Sequence, residues 1–152
     1  MKPVTCAVDP FSGEIGKTAD TDTVGKFQKA AKNSPKHALV VDDEPLVRWS
    51  VAECLSDIGL DVEQAGDAAS ALRTVTTSTP FDLVVMDLRL PDMKDLSLLG
   101  TIRQLLPSAM LVLMTAFGTP EIITAAQVMG ATVLNKPFEL DALKRIAGRA
   151  EA

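Results

Sequence analysis

Short apolar runs that recur after residue 36 constrain the fold of this chain more than any other feature of its sequence. Three runs are continuously aliphatic and two are weaker: 38–41, 83–86 and 110–114, then those near 60–63 and 132–135. Stretches with helical spacing separate them, at roughly 45–58, 67–78, 96–106, 119–129 and 139–149. Continuous aliphatic runs are typical of parallel strands covered on both faces. The alternation therefore predicts an α/β fold, a doubly wound five-stranded parallel sheet flanked by five helices.

Capping residues mark where several of these helices begin. Asp67 and Asp95 are candidate N-caps, because a carboxylate at that position accepts hydrogen bonds from the free N–H groups of the first turn. Thr119 precedes Pro120, which is favoured at the first helical position, where its missing N–H is not needed. These signals support the alternation of strands and helices.

The first 36 residues differ from the rest of the chain. They show no convincing apolar period, so we expect a flexible N-terminal tail over residues 1–36, with a short helix near 24–32, and one domain over residues 37–152. The "GKT" at 16–18 resembles part of a phosphate-binding loop, but that motif needs glycine where Phe11 stands. A coincidence in a linker is the better interpretation.

Charge and composition limit the function. The tail carries a net charge of +2 and the domain −7, which together give the −5 of the chain. An acidic domain argues against direct nucleic acid binding and favours cations or basic partner surfaces. No apolar run approaches the ~18 residues needed to cross a bilayer. Cys6 and Cys54 match no metal or redox spacing, which favours a reduced, cytoplasmic setting.

Polar side chains follow the predicted strands at the point where each strand ends. They are Asp42 and Asp43 after the first strand, Asp87 after the third, Thr115 after the fourth and Lys136 after the fifth. In doubly wound sheets, functional groups gather beyond the carboxyl ends of the strands. We therefore expect three carboxylates, one hydroxyl and one ammonium at one edge.

Such a cluster of carboxylates needs a cation. Two carboxylates about 4 Å apart repel by ~4 kcal/mol at an effective dielectric constant near 20. A hard divalent ion with oxygen ligands relieves this repulsion, and Mg²⁺ suits a site with few carboxylates. The ammonium and the hydroxyl can hold oxygens of a transferring phosphoryl group. The pattern indicates a phosphoryl acceptor in which one carboxylate is the nucleophile.

Four motifs in this order, "VVDDEP", "VVMDLRLPDM", "MTA" and "NKPF", resemble the receiver domain of two-component response regulators. The resemblance covers residues 37 to about 149 and implies the flavodoxin-like receiver fold with strand order 2-1-3-4-5. The segments "DDEPLVRWS" and "MTAFGT" are similar in particular to receivers of sigma-54-dependent, NtrC-type regulators. The implied function is phosphorelay signal transduction, with a histidine kinase or phosphotransfer protein as phosphodonor and a downstream protein or output domain as target. The resemblance implies no enzyme beyond weak self-phosphorylation and self-dephosphorylation.

The resemblance also implies a role for each matching residue. Asp87 is the expected phosphoacceptor. Asp43 is expected to bind Mg²⁺ directly, and Asp42 is expected to bind it through water. The backbone carbonyl of Arg89 is expected to be a further metal ligand. The remaining two roles belong to the residues that contact the phosphoryl group, Thr115 and Lys136.

The expected switch differs from the family pattern. In the family, an aromatic side chain usually stands at the position of Val133 and changes with the state of the hydroxyl residue. We therefore expect altered coupling between phosphorylation and the conformational switch. The other expected switch residues are Ala116, next to the hydroxyl residue, and Pro137, next to the lysine. The bond before Pro137 is often cis in the family. The segment 130–136 is one residue shorter than usual, which predicts a reshaped last strand. We further hypothesise that the Arg89 side chain alters access of water or a phosphatase to the acceptor.

Trp49 is the best candidate for a partner contact. It falls off the apolar stripe of the first helix formed by Val47, Val51, Leu55 and Ile58, so we expect it to be exposed or covered by the tail. Two rival functions stay open. One is a phosphorylation-independent interaction module, and the other is a Mg²⁺-dependent aspartyl-phosphate phosphatase, which needs a second Asp where Arg89 stands. A homodimer is a further expectation, since phosphorylation-linked dimers are common in the family.

Overall fold

The structure, a computed structural model, describes residues 36–151, which form five strands and five helices in strict alternation. In chain order they are β1 (His37–Val41), α1 (Pro45–Asp57), β2 (Asp61–Ala65), α2 (Ala68–Thr77), β3 (Leu83–Asp87), α3 (Ser97–Leu105), β4 (Met110–Thr115), α4 (Pro120–Val128), β5 (Ala131–Asn135) and α5 (Leu140–Glu151). The predicted flexible tail and its short helix lie outside the described residues, apart from Lys36.

All five strands are parallel and lie in the order β2-β1-β3-β4-β5, as the family resemblance implies. The three continuously aliphatic runs are the three central strands, which are almost entirely buried. The two weaker runs are the edge strands β2 and β5, which are only partly buried. An edge strand has neighbours on one side only, and this explains why its sequence is less apolar.

Helices cover both faces of the sheet. Alternate residues of each strand point to opposite faces, so Leu39 packs with α2, α3 and α4 while Val40 packs with α1 and α5. In α1, Val51 and Leu55 are buried and Val47 packs beside them, which confirms the predicted apolar stripe. The two cores fix the sheet from both sides, and its carboxyl edge therefore presents the strand ends in fixed positions.

The helix starts agree with two of the predicted caps. Asp67 accepts a hydrogen bond from the Ser70 N–H at 2.7 Å, and Thr119 precedes Pro120, the first residue of α4. The prediction that Asp95 is an N-cap was wrong, because α3 begins at Ser97 with Leu96 in the cap position. Asp95 instead accepts from the Ser97 N–H at 2.9 Å. It bonds the backbone two residues ahead, as Asp does in an Asx turn.

Two strand predictions need correction. β2 runs from Asp61 to Ala65, whereas the prediction ended near residue 63. The predicted reshaping of the last strand is not observed, because all five residues of β5 pair in parallel register with residues 111–115 of β4. None of the helices within residues 36–151 combines the length and the hydropathy that crossing a bilayer requires.

Candidate functional site

Three carboxylates meet at the carboxyl edge of the sheet, as predicted. Asp42 and Asp43 directly follow β1, and Asp87 is the last residue of β3, the neighbouring strand. One oxygen of each carboxylate lies within 4.8 Å of the others. Asp42 is fully buried and Asp87 is 8% exposed, whereas Asp43 is exposed to solvent. The acidic cluster therefore has a buried floor and one open side.

Lys136, which follows the edge strand β5, extends its side chain to this cluster. Its Nζ donates to Asp87 Oδ2 at 2.9 Å and to Asp42 Oδ2 at 3.1 Å, and the Lys136 side chain is only 16% exposed. The Lys136 N–H also donates to the Thr115 carbonyl at 2.8 Å, which ties the residue after β5 to the end of β4. The bond between Lys136 and Pro137 is cis.

The other oxygen of each buried carboxylate is held by the backbone. Asp42 Oδ1 accepts from the Glu44 N–H at 2.9 Å, and Asp87 Oδ1 accepts from the Arg89 N–H at 3.2 Å. In both cases the donor lies two residues after the carboxylate, a local geometry that fixes the side chain without a distant partner. Both buried carboxylates are thus oriented before any ligand arrives.

Burial and charge act in opposite directions on the ionisation of this cluster. Burial raises the pKa of the Asp42 carboxyl above its ordinary value of 3.8, against the lowering effects of the Glu44 N–H and of Lys136. Burial also disfavours the charged form of Lys136, but the hydrogen bonds that its Nζ donates to Asp87 and Asp42, with the negative charge of both carboxylates, outweigh burial and raise the lysine pKa above 10.5. Lys136 is therefore a fixed positive charge at neutral pH.

The charges of the cluster do not balance. Among the residues that the structure describes, these three carboxylates face one ammonium, that of Lys136, so the group has a formal net charge of −2. Oxygen ligands of this kind suit a hard divalent cation, and one such ion would neutralise the remaining charge. Asp42, Asp43 and Asp87 could hold a metal ion, which fits the metal set that the sequence predicted.

A cavity of about 400 Å³ opens in front of Asp87. Its walls also include Arg89, Asp43, Thr115, Ala116 and Lys136, so six of the predicted site residues surround one space. The Thr115 side chain is 1% exposed, and its Oγ1 accepts from the Phe117 N–H at 3.2 Å, which leaves the hydroxyl proton to be donated elsewhere. The cavity has a carboxylate, an ammonium and a hydroxyl donor on its walls.

Arg89 and Phe117 cover part of the mouth of this cavity. Arg89 is exposed, and its guanidinium carbon lies 5.0 Å from the centre of the Phe117 ring, a cation–π contact. Phe117 is 68% exposed. The sequence singled out Arg89 for its position beside the acceptor but gave no signal for its aromatic partner, although both residues lie two positions after a site residue.

The predicted switch and partner residues lie near the cavity, but not all of them line it. Pro137 and Ala116 line a second, mostly apolar cleft of about 460 Å³ beside α1. Val133 is part-buried in β5 and packs against the core on the side of α4. Trp49 lies on α1 and is 55% exposed, which agrees with the predicted exposure. The alternative, coverage by the tail, concerns residues that the structure does not describe.

Two further residues support the site and were missed from the sequence. Glu44 lies on the cavity wall, with its Oε1 3.6 Å from the Lys136 Nζ, and is the third carboxylate of the "DDE" run. Arg48 donates from Nη1 to the Asp42 carbonyl at 2.8 Å and from Nε to Gln64 Oε1 at 3.2 Å. Asp42 and Arg48 are six residues apart across the start of α1, and this short separation could have suggested their contact, but the partner Gln64 on β2 depends on the sheet order.

A sheet of this order, with acidic residues at two neighbouring strand ends and a lysine after the last strand, defines a class of phosphoacceptor signalling domains. Residues 38–147 match the family model of the response regulator receiver domain, and the chain belongs to this family. It is therefore a receiver domain of two-component signal transduction.

Individual relatives agree with this assignment. The chain is 33% identical over 114 residues to the DNA-binding transcriptional regulator NtrC of Klebsiella pneumoniae, covering 74% of this chain and 24% of that protein. It is 31% identical over 107 residues to sporulation initiation phosphotransferase F of Bacillus subtilis, covering 70% of this chain and 86% of that protein. The chain thus spans about a quarter of the length of NtrC.

A solved structure shows the same similarity. The receiver domain of NtrX from Brucella abortus is 37% identical, with a TM-score of 0.67 over 75% of this chain and 97% of that one. The similarity to receivers of NtrC-type regulators that the sequence indicated is confirmed by these relatives.

Proposed function

We propose that Asp87 accepts a phosphoryl group from the phosphohistidine of a histidine kinase or a phosphotransfer protein, in a Mg²⁺-dependent reaction. One observation carries this proposal: a nearly buried carboxylate, oriented by Lys136 and the Arg89 N–H, faces a cavity large enough for a phosphoryl group. Bound Mg²⁺ would neutralise phosphoryl oxygens, with Asp43, Asp42, Asp87 and the backbone carbonyl of Arg89 as the residues that hold it.

The transfer itself exchanges one bond for another. A carboxylate oxygen of Asp87 attacks phosphorus, the new P–O bond forms as the P–N bond of the phosphohistidine breaks, and the imidazole nitrogen keeps the electron pair. Lys136 stabilises the charge on a phosphoryl oxygen, because its Nζ already lies 2.9 Å from the acceptor carboxylate. The Thr115 hydroxyl donates to another phosphoryl oxygen from the cavity wall. On this proposal the domain is a phosphoacceptor and not an enzyme with a turnover of its own.

The product would act on the segment that follows β4. An added phosphoryl group brings nearly two negative charges next to Thr115. A side chain on Gly118 would lie 2.9 Å from Thr115 Cγ2, so this loop packs closely on the hydroxyl residue. Movement of Thr115 toward the phosphoryl group would therefore pull the 115–120 loop and α4 toward a second arrangement. We propose that Val133 weakens the usual coupling, since an aliphatic side chain that packs in the core has no ring to reorient.

Two alternatives are weaker. A phosphatase needs a second acidic group two residues after the nucleophile, and that position holds Arg89, whose guanidinium contacts Phe117. A phosphorylation-independent module would not need the acidic cluster together with its buried lysine. Three facing carboxylates destabilise the fold unless a cation besides Lys136 is present. Their arrangement therefore favours a function that binds such a cation.

The kinase or phosphotransfer protein is proposed to contact α1. Trp49 and Leu46 are 55% and 73% exposed, and exposed aromatic and aliphatic side chains of this size often mark protein contacts. The cleft beside α1 shares Ala116 and Lys136 with the phosphoryl cavity, so a partner on this surface would lie next to Asp87. A cytoplasmic setting and phosphorylation-linked dimers stay predictions.

Mass spectrometry tests the proposal directly. The chain is incubated with Mg²⁺ and a small phosphodonor such as acetyl phosphate, and we expect one added phosphate that is lost in the variant Asp87→Ala. The matched control is Asp82→Ala, which removes a carboxylate outside the cavity. Absence of added phosphate in the wild-type chain would count against the receiver reaction, and steady release of phosphate from many substrates would support the phosphatase.

A further inference from the structure

The first turn of α2 is held by two carboxylates instead of one. Asp67, its own cap, accepts from the Ser70 N–H at 2.7 Å. Asp92, 24 residues from Ala68 in sequence, accepts from the Ala68 N–H at 2.8 Å through Oδ1 and from the Ala69 N–H at 3.0 Å through Oδ2. These backbone hydrogen bonds lower the pKa of Asp92 below 3.8, so its carboxylate stays ionised at neutral pH. Asp67 thus satisfies one free N–H group of the first turn, and Asp92 satisfies two more from a distant segment of the chain.

Asp92 belongs to the segment that follows the acceptor. This segment turns sharply between Leu90 and Met93, whose backbones exchange hydrogen bonds of 2.9 and 3.3 Å. Leu88 and Leu90 are buried in the core, and Arg89 between them is exposed. Asp92 lies at the tip of the turn, so its contacts with α2 fasten the turn to the neighbouring helix.

The backbone of Arg89 depends on these flanking attachments. Before it, the Leu88 N–H donates to the Met114 carbonyl at 3.1 Å, and after it the turn is held by Asp92. The Arg89 N–H is the group that orients Asp87 Oδ1, and its carbonyl is the proposed metal ligand. A shift of the turn would therefore move both groups together.

The N-terminal end of α2 is also connected to the acidic pair, Asp42 and Asp43, through Asp42. The Asp42 N–H donates to the Ala65 carbonyl at 3.1 Å, at the end of β2 and three residues before α2. Arg48 joins the Asp42 carbonyl to Gln64 on the same strand. The connection from β2 into α2 thus contacts Asp42 on one side. On the other side it contacts the segment after Asp87, through Asp92.

We propose that Asp92 is a positioning residue for the metal site: it fixes the Arg89 backbone relative to Asp42 and Asp43 by anchoring the 90–93 turn to the first turn of α2. This inference rests on the proposed function, because it concerns the metal that the phosphoryl transfer would use. It predicts that loss of Asp92 weakens metal binding although Asp92 itself is not a ligand.

The test compares three variants in calorimetric titrations with Mg²⁺ alone. Asp92→Ala is expected to raise the Kd for Mg²⁺ about tenfold, the lower end of the range for residues that orient a metal ligand. Asp67→Ala is the matched control, since it removes a cap of the same helix without touching the 90–93 turn, and we expect its Kd to stay within about twofold of wild type. Asp92→Asn keeps one acceptor oxygen and should recover part of the affinity.

Two readouts separate this inference from the proposed function. In the phosphorylation assay, Asp92→Ala should raise the Mg²⁺ concentration needed for half-maximal rate and leave the rate at saturating Mg²⁺ nearly unchanged. By hydrogen exchange, the Arg89 amide of the metal-free protein should lose protection in Asp92→Ala and keep it in Asp67→Ala. An unchanged Kd in Asp92→Ala, or an equal loss in Asp67→Ala, overturns the inference. Should wild type bind no Mg²⁺, the proposed function fails, and the Arg89 amide alone decides whether Asp92 positions this segment.

Discussion

Replacement of Lys136 by methionine removes the ammonium that lies between the two buried carboxylates, Asp42 and Asp87. Methionine fills similar space without charge, so the variant isolates the electrostatic contribution of Nζ, which lies 2.9 Å from Asp87 and 3.1 Å from Asp42. Carboxylate oxygens of the cluster lie within 4.8 Å of one another, and two unit charges at that distance repel by ~3.5 kcal/mol at an effective dielectric constant near 20. Breaking a buried ion pair by removing one partner costs about 3–5 kcal/mol. We expect Lys136→Met to lower the free energy of unfolding by about 3 kcal/mol at neutral pH without metal.

The loss should depend on pH with a defined sign. Without Lys136 the pKa of Asp42, already raised by burial, rises further above its unfolded value of 3.8. A carboxyl whose folded pKa is raised destabilises the fold at pH values above that pKa, and the penalty fades as the pH falls toward the unfolded value. The deficit of the variant should therefore shrink as the pH falls through the raised folded pKa of Asp42 toward the unfolded value of 3.8.

Urea denaturation followed by Trp49 fluorescence or circular dichroism measures this deficit. Added Mg²⁺ should restore part of it, because a ligand at a hundred times its Kd stabilises the folded state by about 2.7 kcal/mol. Lys94→Met is the control, an exposed lysine of the segment before α3, and should change the free energy of unfolding by less than about 0.5 kcal/mol. A deficit of Lys136→Met that is no larger than this, or one that grows as the pH falls, would refute the reasoning.

Three further outcomes follow from the contacts or exposure of single side chains. Arg89→Ala should speed loss of the phosphate about two- to fivefold, because it removes a cation–π contact with Phe117 worth ~0.5–1 kcal/mol at the cavity mouth; an unchanged dephosphorylation rate would refute the shielding role. Arg103→Ala should lower the free energy of unfolding by about 2–3 kcal/mol in chemical denaturation, since the guanidinium donates to several carbonyls, among them that of Met129 at 3.0 Å; a loss below about 0.5 kcal/mol would contradict this. Trp49→Ala should raise KM for a kinase phosphodonor several-fold and leave the rate with a small phosphodonor unchanged, and equal effects on both would exclude a docking role.

The sequence predicted the fold well because the fold depends on short-range patterns. Continuous aliphatic runs marked β1, β3 and β4, and the edge strands were weaker in the sequence for the same reason that they are less buried. Errors concentrated at boundaries. Asp95 carries the side chain of an N-cap, but it bonds Ser97 across a local turn, and the choice between the two geometries depends on the path of the preceding segment. The prediction of a reshaped last strand was wrong, since all five residues of β5 pair in regular register with β4.

The candidate site was predictable as a set of residues but not as a set of contacts. The strand ends supplied Asp42, Asp87, Thr115 and Lys136, because parallel strands bring their carboxyl ends to one edge. Contacts between residues far apart in sequence were not predictable, since a local pattern does not specify which loop tip meets which helix. The main example is the pair of hydrogen bonds that Asp92 accepts from the first turn of α2.

The same charge arrangement explains both the instability of the site and its use. Lys136 neutralises one of three carboxylates, and burial keeps the pKa of Asp42 high, so the metal-free cluster stores repulsion that a divalent ion relieves. A second ammonium at this edge would stabilise the fold, but it would also weaken the attraction for the cation and block the open side of the cavity at Asp43. The backbone N–H groups that hold Asp42 and Asp87 orient the carboxylates without adding a full positive charge. A site built in this way keeps the Asp87 carboxylate oriented while leaving the last neutralisation to the divalent ion.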